Sequence, residues 1–418
     1  MNKIRRPEIR FNQFSNDWQE ESYSDTFSDL SNNTLSRADL NYQSGLAKNV
    51  HYGDILIKFR EILDLEKDEV PFISENNLID KYKASKLQNG DVIFADAAED
   101  DTVGKCIELT NIGNESIYPG LHTIAARPIF PFASFYLGYY LNSPAYHNQL
   151  VNLMQGTKVM SISKSAIKQT SILFPKDKTE QKKIGAFFQT IDQLITLHQQ
   201  KYDKLVILKK AMLVKMFPRD GEAVPEIRFK GFDGEWEEKK LGDLGEVAMN
   251  KRIFKHETSE KGEIPFYKIG SFGGEADAYI TRELFDEYKS KYQYPNSGDI
   301  LISASGSIGR VVEYLGKDEY FQDSNIVWLD HGGNVCNKFL KHFYTIIEWD
   351  GLEGSTIKRL YNKSILSTAI VLPSKEEQII IGEYFETVDK QINLHQTQLD
   401  KLNNIKKACF SKMFVAQD

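Results

Sequence analysis

Residues 180–217 read EQKKIGAFFQTIDQLITLHQQKYDKLVILKKAMLVKMF, and residues 377–414 read EQIIIGEYFETVDKQINLHQTQLDKLNNIKKACFSKMF. The two segments align without a gap, and 20 of their 38 positions are identical. Typical amino-acid frequencies would give about two or three identities by chance. A shorter repeat, PEIRF, occurs at 7–11 and again at 225–229. The chain is therefore an internal duplication with two related halves.

Each 38-residue segment has the apolar spacing of a coiled-coil helix. The seam positions alternate four and three residues apart over three heptads, which is the a/d pattern. They are Ile184, Phe188, Ile191, Ile195, His198, Tyr202 and Leu205 in the first copy and Ile381, Phe385, Val388, Ile392, His395, Leu399 and Leu402 in the second. The spacing then shifts to Leu208 and Met212, and to Ile405 and Cys409, which predicts a stutter. A helix about 57 Å long would expose its seam to water, so we predict that the two helices pack on each other.

Two of the seam positions are histidines, His198 and His395. A polar residue at a seam position fixes the register of a helix pair, so we interpret both as residues that set the register and an antiparallel pairing. A metal-binding or catalytic role is the less favoured alternative. The sequence has no P-loop, dinucleotide-binding, HExxH or GxSxG motif, and GSIGR at 306–310 has the composition of a hairpin turn.

The regions outside these helices are predicted to be mixed α/β modules. Short apolar runs between Gly, Asn and Asp predict strands at 51–59, 90–96, 298–316 and 324–330, and apolar runs that end in proline predict strands at 172–175 and 370–373. Amphipathic helices are predicted at 132–153 and 337–349, and PEIRF is predicted to be a strand that closes each module. A Gly-Asp pair precedes a strand at 90–91 and at 298–299 and predicts a turn, and HYGDIL at 51–56 holds another such pair. The frame repeats whereas the segments between differ, which suggests two recognition modules with different targets.

Composition limits the class of protein further. The chain has 418 residues, 41% of them hydrophobic, and three distant cysteines, so it is predicted to contain several domains and no disulfide framework. It lacks an apolar N-terminal segment and any run of about 18 apolar residues, which predicts a cytoplasmic protein without a membrane anchor. The net charge of −7 argues against a basic arm that clamps nucleic acid. Any surface that binds nucleic acid must therefore be local.

Basic residues beside small hydroxylic residues on predicted loops are the candidate nucleic-acid contacts, because phosphates and base edges accept hydrogen bonds. The main candidates are Gly156, Thr157, Lys158 and Lys164 in the first module and Ser355, Thr356, Lys358, Arg359 and Lys363, after Gly354, in the second. The secondary candidates are Arg37, Lys58, Arg60, Lys251, Arg252 and Arg310. The alternative for each of them is ordinary solvated surface charge.

This layout resembles the DNA-specificity (S) subunits of bacterial type I restriction-modification systems. The resemblance spans nearly the whole chain. It is carried by the duplicated order of variable region and long helix, by the Gly-Asp pair before a strand, and by a helix that opens with proline, Glu-Gln, Ile, Gly, Phe and Asp. These residues are Pro175, Glu180, Gln181, Ile184, Gly185, Phe188 and Asp192, and again Pro373, Glu377, Gln378, Ile381, Gly382, Phe385 and Asp389.

The resemblance implies an α+β fold in which two target-recognition domains each read one half of a split sequence in double-stranded DNA. An antiparallel coiled coil would separate them in a pseudo-twofold arrangement and dock two adenine methyltransferase (M) subunits, which restriction (R) subunits join for cleavage. It implies a non-catalytic chain without a cofactor of its own, with S-adenosylmethionine in the M subunits. The expected boundaries are 1–175 and 218–373 for the two domains and 176–217 and 374–418 for the helices.

Two other functions stay open at this point. One is a coiled-coil scaffold whose two modules bind proteins or glycans. The other is an enzyme with duplicated active sites, for which the sequence offers no motif.

Overall fold

A computed structural model describes residues 5–349 and 358–416 of the chain. The chain divides into two compact units, Met1–His198 with Thr397–Asp418, and Gln199–Gln396. Each unit contains one mixed α/β module, the first part of one long helix and the last part of the other. The mixed α/β fold with two long helices is as predicted. The division into units falls within both helices, so the proposed boundaries of 1–175, 176–217, 218–373 and 374–418 stay predictions about functional parts.

The module of the first unit is built on a five-stranded sheet. Its strands are β1 (Gln19–Ser22), β2 (Phe27–Leu30), β3 (Leu40–Asn41), β4 (Lys48–Val50), β5 (Ile62–Asp64), β6 (Phe72–Ile73), β7 (Val92–Ala95), β8 (Ala97–Ala98), β9 (Cys106–Thr110), β10 (Ile117–Pro119), β11 (Thr123–Pro128), β12 (Met160–Ser161) and β13 (Ser171–Phe174). Its helices are α1 (Tyr23–Thr26), α2 (Tyr52–Ile57), α3 (Tyr136–Asn142), α4 (Pro144–Val151) and α5 (Lys164–Ile167). The long helix α6 (Lys178–Met216) begins in this unit. The main sheet has the order β2-β11-β7-β9-β5, beside a smaller sheet β10-β4-β6-β3 and the pairs β1-β13 and β12-β8.

The second unit repeats the central part of this arrangement. Its strands are β14 (Glu237–Lys240), β15 (Glu246–Met249), β16 (Ile264–Tyr267), β17 (Tyr279–Ile280), β18 (Ile300–Ser303), β19 (Val311–Glu313), β20 (Tyr320–Phe321), β21 (Ile326–Asp330) and β22 (Ala369–Leu372). Its helices are α7 (Leu241–Leu244), α8 (Arg282–Lys291), α9 (Asn337–Ile346) and α10 (Asn362–Ser367). The long helix α11 (Lys375–Lys412) begins in this unit. The sheet order β15-β21-β18-β19 matches β2-β11-β7-β9 of the first unit, and β14-β22 matches β1-β13. Short 3₁₀ helices occur at Arg37–Asp39, Asn76–Ser85 and Lys255–Glu257.

The two long helices pack antiparallel, as predicted. In the first unit the beginning of α6 lies against the end of α11, where the ring of Phe188 is 4.7 Å from that of Phe410. In the second unit the end of α6 lies against the beginning of α11, where Phe217 is 6.1 Å from Phe385. All fourteen predicted seam residues are buried or half-buried. The seam is therefore the face on which each helix packs.

The predicted stutter is wrong. Leu208 and Ile405, which should open it, are 39% and 38% exposed. The four-three spacing instead continues through Lys209 and Lys406, which are both half-buried. A lysine can take a seam position because its aliphatic stem packs against apolar neighbours while its ammonium reaches a partner.

The partners of the two seam lysines are equivalent aspartates. The ammonium of Lys209 lies 2.5 Å from the carboxylate of Asp389 in the second unit. In the first unit, Lys406 lies 2.8 Å from Asp192 and 2.9 Å from Glu61 of the module. Each pair joins the beginning of one long helix to the end of the other. The aspartate of the repeated helix opening is therefore a structural residue in both units.

The segment HYGDILIKF at 51–59, predicted to be a strand, forms the short helix α2. The ring of His51 accepts the backbone N–H of Gly53 at 3.1 Å, which caps the helix. The carboxylate of Asp54 accepts two hydrogen bonds from Arg37, at 2.8 and 2.9 Å. A short apolar run fits a strand or a buried helix equally well. Here the cap that His51 provides favours the helix.

PEIRF is irregular in both copies and not the predicted strand. The N–H of Ile9 donates to the carbonyl of Lys412 at 3.0 Å, and the N–H of Ile227 donates to the carbonyl of Lys215 at 2.8 Å. These carbonyls belong to the last turns of α11 and α6, where helix carbonyls lack partners within the helix. PEIRF therefore closes the C-terminal end of a long helix.

The arginine of PEIRF binds the glutamate that opens the other helix segment in the same unit. Arg10 makes two hydrogen bonds to Glu180, at 2.7 and 2.8 Å. Arg228 makes two to Glu377, both at 2.7 Å. Both glutamates are buried. Because a charge is buried only with a good partner, the buried glutamate at each helix opening requires the arginine of PEIRF.

Candidate nucleic-acid interface

In the first unit, backbone hydrogen bonds join three loops at the end of the main sheet where strand β7 ends. We call this place the junction. Asp96 follows β7 directly, and its N–H donates to the carbonyl of His122, at the start of β11, at 3.0 Å. The carbonyl of Asp96 accepts the N–H of Ile162, just before α5, at 2.9 Å. The turn after β7, the turn before β11 and the loop before α5 therefore meet at one residue.

The second unit has the same junction. Ala304 follows β18, and its N–H donates to the carbonyl of Asn325 at 2.7 Å. Its carbonyl accepts the N–H of Leu360, just before α10, at 2.8 Å. A bridge between Ser305 and Arg359 extends this pairing, as β8-β12 does in the first unit. The main predicted loops of both modules thus hold the same place in the fold, next to the turns that follow β7 and β18.

The main candidates of the first unit lie on and beside this junction. Gly156 has a φ of +118°, and a Cβ there would lie 2.0 Å from the carbonyl oxygen of Val159, so the tight turn requires glycine. Thr157 and Lys158 are exposed on that turn. Lys164 begins α5, and its ammonium donates to the carbonyl of Leu30 at 3.0 Å. Of the two lysines, Lys158 is the one placed for an outside partner.

In the second unit, Arg359 is held in place by Ser324, which lies just before β21. Its guanidinium donates to the carbonyl and the hydroxyl of Ser324, at 3.2 and 2.7 Å. Lys358 and Lys363 are exposed on either side of it. Ser355 and Thr356, with Gly354, lie outside the described residues. The described part of the predicted loop is therefore a fixed arginine flanked by two exposed lysines.

The secondary candidates of the first unit all interact with groups of their own unit. Arg37 binds Asp54, whose carboxylate raises the pKa of the Arg37 guanidinium through these hydrogen bonds. Lys58 lies 4.7 Å from the centre of the Tyr42 ring. Arg60 lies 3.4 Å from the carboxylate of Asp192 on α6. Arg60 therefore joins the module to the long helix.

The secondary candidates of the second unit lie on two different loops. Lys251 is 5.0 Å from the ring centre of Tyr292, and Arg252 is 5.5 Å from that of Phe254. Tyr292, just after α8, is 44% exposed and Phe254 is 50% exposed, so each of these two cations lies beside an exposed ring. The guanidinium of Arg310 donates to the carbonyl of Phe272 at 2.5 Å, which fixes the loop after β18.

The structure also brings residues to the junction that the sequence analysis missed. His122 and Ser324 precede β11 and β21 and have φ values of +55° and +38°, which is unusual for residues other than glycine. The ring of His122 lies 3.2 Å from the carboxylate of Asp96. Burial raises the pKa of Asp96, and His122 lowers it in part. These residues carry no repeated motif, and the one available signal was their position just before an apolar strand in each copy.

The described parts of the chain lack two further features, a cluster of metal ligands and a helix that could span a membrane. Within residues 5–349 and 358–416, no three His, Cys, Asp or Glu side chains converge as a metal site would require. Among the described helices, none has both the length and the apolar character that a membrane crossing requires. His198 and His395 are half-buried on the seam, and their role in setting the register stays a prediction.

Comparison with known proteins gives a family. The model of the type I restriction modification DNA specificity domain matches residues 48–206 and 233–404. Together the two matches cover more than half of the chain, and they fall one in each half of the duplication.

Individual relatives agree with this match. A provisionally named type I restriction enzyme specificity subunit of Haemophilus influenzae is 54% identical over 157 residues, which is 37% of this chain and 41% of that protein. The StySPI specificity subunit of a type I restriction enzyme from Salmonella potsdam is 22% identical over 403 residues, 84% of this chain and 82% of that protein. The crystal structure of a type I restriction-modification S subunit from M. genitalium has the same fold, with a TM-score of 0.63, 14% identity and coverage of 99% of this chain and 100% of that one.

Proposed function

The chain belongs to the type I restriction-modification DNA specificity family, and we propose that each of its two units reads one half of a bipartite DNA target. Specificity subunits of type I systems are non-catalytic, so the chemistry belongs to partner subunits. The observation that carries the proposal is the junction. The two units present the same three loops on the same backbone frame, at Asp96 and at Ala304, but with different side chains. A duplicated frame with different contact residues suits two different half-sites.

The long helices are proposed to dock two adenine methyltransferase subunits and, through them, restriction subunits. The helices carry exposed apolar side chains at positions outside the seam, among them Leu197, Ile207 and Val214 on α6 and Leu394 on α11. These exposed apolar side chains are available for contact with a partner protein. The antiparallel pair would also fix the spacing between the half-sites, as dimer spacing does in other DNA-binding proteins.

S-adenosylmethionine is proposed to bind the methyltransferase subunits. Methylation of an adenine requires that the base leave the duplex and enter a catalytic pocket, which we place in those subunits. We expect the isolated chain neither to retain S-adenosylmethionine in equilibrium dialysis nor to methylate DNA. We also expect the protein to act in the cytoplasm, where bacterial DNA lies.

The proposal is tested with the complex of this chain and its co-expressed methyltransferase subunits. A duplex library that is randomised at both half-sites is methylated, and the methylated sequences are read. The variant Lys358→Ala with Arg359→Ala removes two donors from the second unit, and Lys158→Ala with Lys164→Ala removes two from the first. Lys317→Ala and Lys86→Ala are matched controls. These exposed lysines lie beside the same sheets, but at the strand ends opposite to the junction.

Each double variant should affect only the half-site that its own unit reads. A lost base contact should cost about 1–3 kcal/mol of discrimination at one or two positions. A lost phosphate contact should weaken binding to all sequences and reduce the salt dependence by about one unit of slope per contact. The proposal fails if a double variant disturbs both half-sites equally, or if it behaves like its control.

A further inference from the structure

We propose that His122 in the first unit and Asn325 in the second contact bases and set the sequence preference of their own half-sites. This inference rests on the proposed function. The two residues are equivalent, because each gives its carbonyl to the residue that follows the central strand, Asp96 or Ala304. They therefore hold one position in the fold with two different side chains.

The backbone at this position is fixed. His122 itself has a φ of +55°, and Ser324, next to Asn325, has a φ of +38°. Such conformations are held only where the surrounding structure determines them. Here the junction holds the chain on one side and the strand that follows holds it on the other. A side chain on a fixed turn can discriminate bases because it loses little freedom on binding.

The side chain of His122 offers an acceptor. Its Nδ1 lies 3.2 Å from the carboxylate of Asp96, and a carboxylate can only accept, so Nδ1 carries the proton. In this tautomer the ring presents Nε2 as an acceptor, which makes no hydrogen bond to any described residue. The side chain is 51% exposed. In the major groove an acceptor pairs with the amino group of adenine or cytosine.

The side chain of Asn325 offers a donor. Its carbonyl oxygen accepts the hydroxyl of Ser305 at 2.7 Å. Its amide nitrogen has no hydrogen-bond partner in the described parts of the chain, so it is free to donate. A donor pairs with N7 of a purine, O6 of guanine or O4 of thymine. The equivalent positions of the two units therefore select different base edges: His122 selects a hydrogen-bond donor, and Asn325 selects an acceptor.

The experiment uses the complete complex and the same doubly randomised library. His122→Asn keeps a residue type that tolerates a left-handed turn but removes the ring acceptor. Asn325→Asp keeps the shape but replaces the donor with an acceptor. Asn111→His and Asn296→Asp are the matched controls at the opposite edges of the two sheets. Asn111 also has a positive φ of 56° and also bonds an aspartate, Asp64, at 2.8 Å.

We expect each variant to change the preference at one or two positions of its own half-site by about 3- to 10-fold, as loss of a single hydrogen bond would. The other half-site and both controls should keep the wild-type preference. An unchanged preference in both variants, or an equal change in both half-sites, overturns the inference. If His122→Asn does not assemble, Asp96→Asn serves instead. It leaves the His122 ring in place but removes the carboxylate that fixes the proton on Nδ1. An unchanged preference would again overturn the inference.

The outcome is distinguishable from failure of the proposed function. If the lysine and arginine variants change one half-site whereas the His122 and Asn325 variants do not, the units read DNA but not through these residues. If the wild-type complex methylates the library without sequence preference, the proposed function itself is wrong.

Discussion

His342 and Tyr139 hold equivalent positions in the two units but differ in chemistry. Tyr139 packs 5.2 Å from the ring of Phe188, and its hydroxyl donates to Asp192 at 2.8 Å. His342 packs 4.9 Å from Phe385, the counterpart of Phe188. Neither ring nitrogen of His342 has a hydrogen-bond partner among the described residues. The second unit therefore buries an unsatisfied imidazole where the first unit has a satisfied phenol.

This histidine should make the second unit sensitive to acid. Burial lowers the pKa of His342 from 6.5 to about 4; Asp389 raises it in part, and Lys209 lowers it. The unfolded chain therefore binds this proton more readily than the folded chain. Stability is complete above about pH 6.5 and is lost as the pH falls toward 4. From these pKa values the loss between pH 7 and pH 5 is at most about 2 kcal/mol.

Replacing the histidine by its counterpart should remove this sensitivity. In His342→Tyr the hydroxyl should reach Asp389 as Tyr139 reaches Asp192, which adds about 1 kcal/mol to the free energy of unfolding at pH 7. The difference from the wild type should widen at pH 5. Urea unfolding of the complete chain and hydrogen exchange of the α9 amides, both at pH 7 and pH 5, measure it. The converse variant, Tyr139→His, should introduce acid sensitivity in the first unit. Equal pH dependence in His342→Tyr and the wild type would contradict the assignment.

At the scale of the element, the glycine in each long helix permits close packing against the module. A Cβ on Gly382 would lie 2.6 Å from the Cβ of Lys338 and 3.0 Å from the backbone nitrogen of Phe339. Gly185 has the equivalent contact, with the carbonyl oxygen of Ser134 at 2.9 Å. Glycine costs a helix about 1 kcal/mol relative to alanine. The approach of the module helix must therefore stabilise more than the glycine costs.

Gly382→Ala should accordingly destabilise the protein although alanine favours helices. We expect a loss of about 1–3 kcal/mol, the usual effect of an overpacked contact, measured by urea unfolding. Glu383→Ala is the matched control, because the neighbouring residue is exposed on the same helix and should change stability by less than about 0.5 kcal/mol. A stabilised Gly382→Ala would show that α9 and α11 have room to move apart.

The connection between PEIRF and the helix opening can be tested on Arg228 and Glu377. The side chain of Glu377 is completely buried, so Arg228→Ala leaves an unpaired charge and should cost about 3–5 kcal/mol. Replacing both residues by methionine should recover most of this loss, because the buried charge is then absent. Removal of the exposed pair between Lys291 and Glu287 should change stability by less than about 1 kcal/mol. A double variant as unstable as Arg228→Ala would assign the loss to packing instead of charge.

Elements with a long period could be predicted from the sequence, and elements defined by local caps could not. The seam of α6 and α11 extends over three heptads, so its spacing predicts that the two helices pack on each other. The antiparallel direction was inferred from the two seam histidines and from the family resemblance. The stutter was wrongly predicted because lysine is a polar residue and was not expected on the seam. The aliphatic stems of Lys209 and Lys406 nevertheless pack there, and their ammonium groups bind aspartates. HYGDIL was assigned to a strand because a run of this length shows no period, and the cap on His51 has no sequence signature of its own.

The candidate site was predictable only in part, for a physical reason. Lysine and arginine beside glycine predicted a basic loop in each module, and the structure places the loops of Lys158 and Lys358 beside the junction. His122 and Asn325 reach the same place because their carbonyls accept the N–H groups of Asp96 and Ala304, which are distant in the sequence. No feature of their neighbours in the sequence encodes that contact. The secondary candidates Arg37 and Arg60 were chosen by charge alone, and both bind carboxylates of their own unit.

At the scale of the whole molecule, the duplication makes the order of the chain nearly circular. In the second unit, α6 continues through Met216 and Phe217 into the PEIRF segment that closes its end. In the first unit, Met413 and Phe414 after α11 are buried in the module core, as Met216 and Phe217 are in the second. The first PEIRF segment then closes α11 without a covalent connection. The two helix ends therefore have the same surroundings, and only one of them is joined by the chain.

Joining Asp418 to Met1 and opening the chain between Arg219 and Asp220 should consequently preserve the fold and the DNA preference. The join places ten residues between Phe414 and Pro7, whereas seven residues lie between Phe217 and Pro225, so the connection is long enough without an added linker. The new ends lie in an exposed turn, where cleavage of a chain is usually tolerated. Opening the same joined chain within α6, between Tyr202 and Asp203, is the control that should fail, because it interrupts the seam. Methylation of the randomised library by the reconstituted complex should give the wild-type preference at both half-sites for the first permutant. A permutant that folds but loses the preference of one half-site would mean that the connection from α6 to PEIRF does more than close the helix.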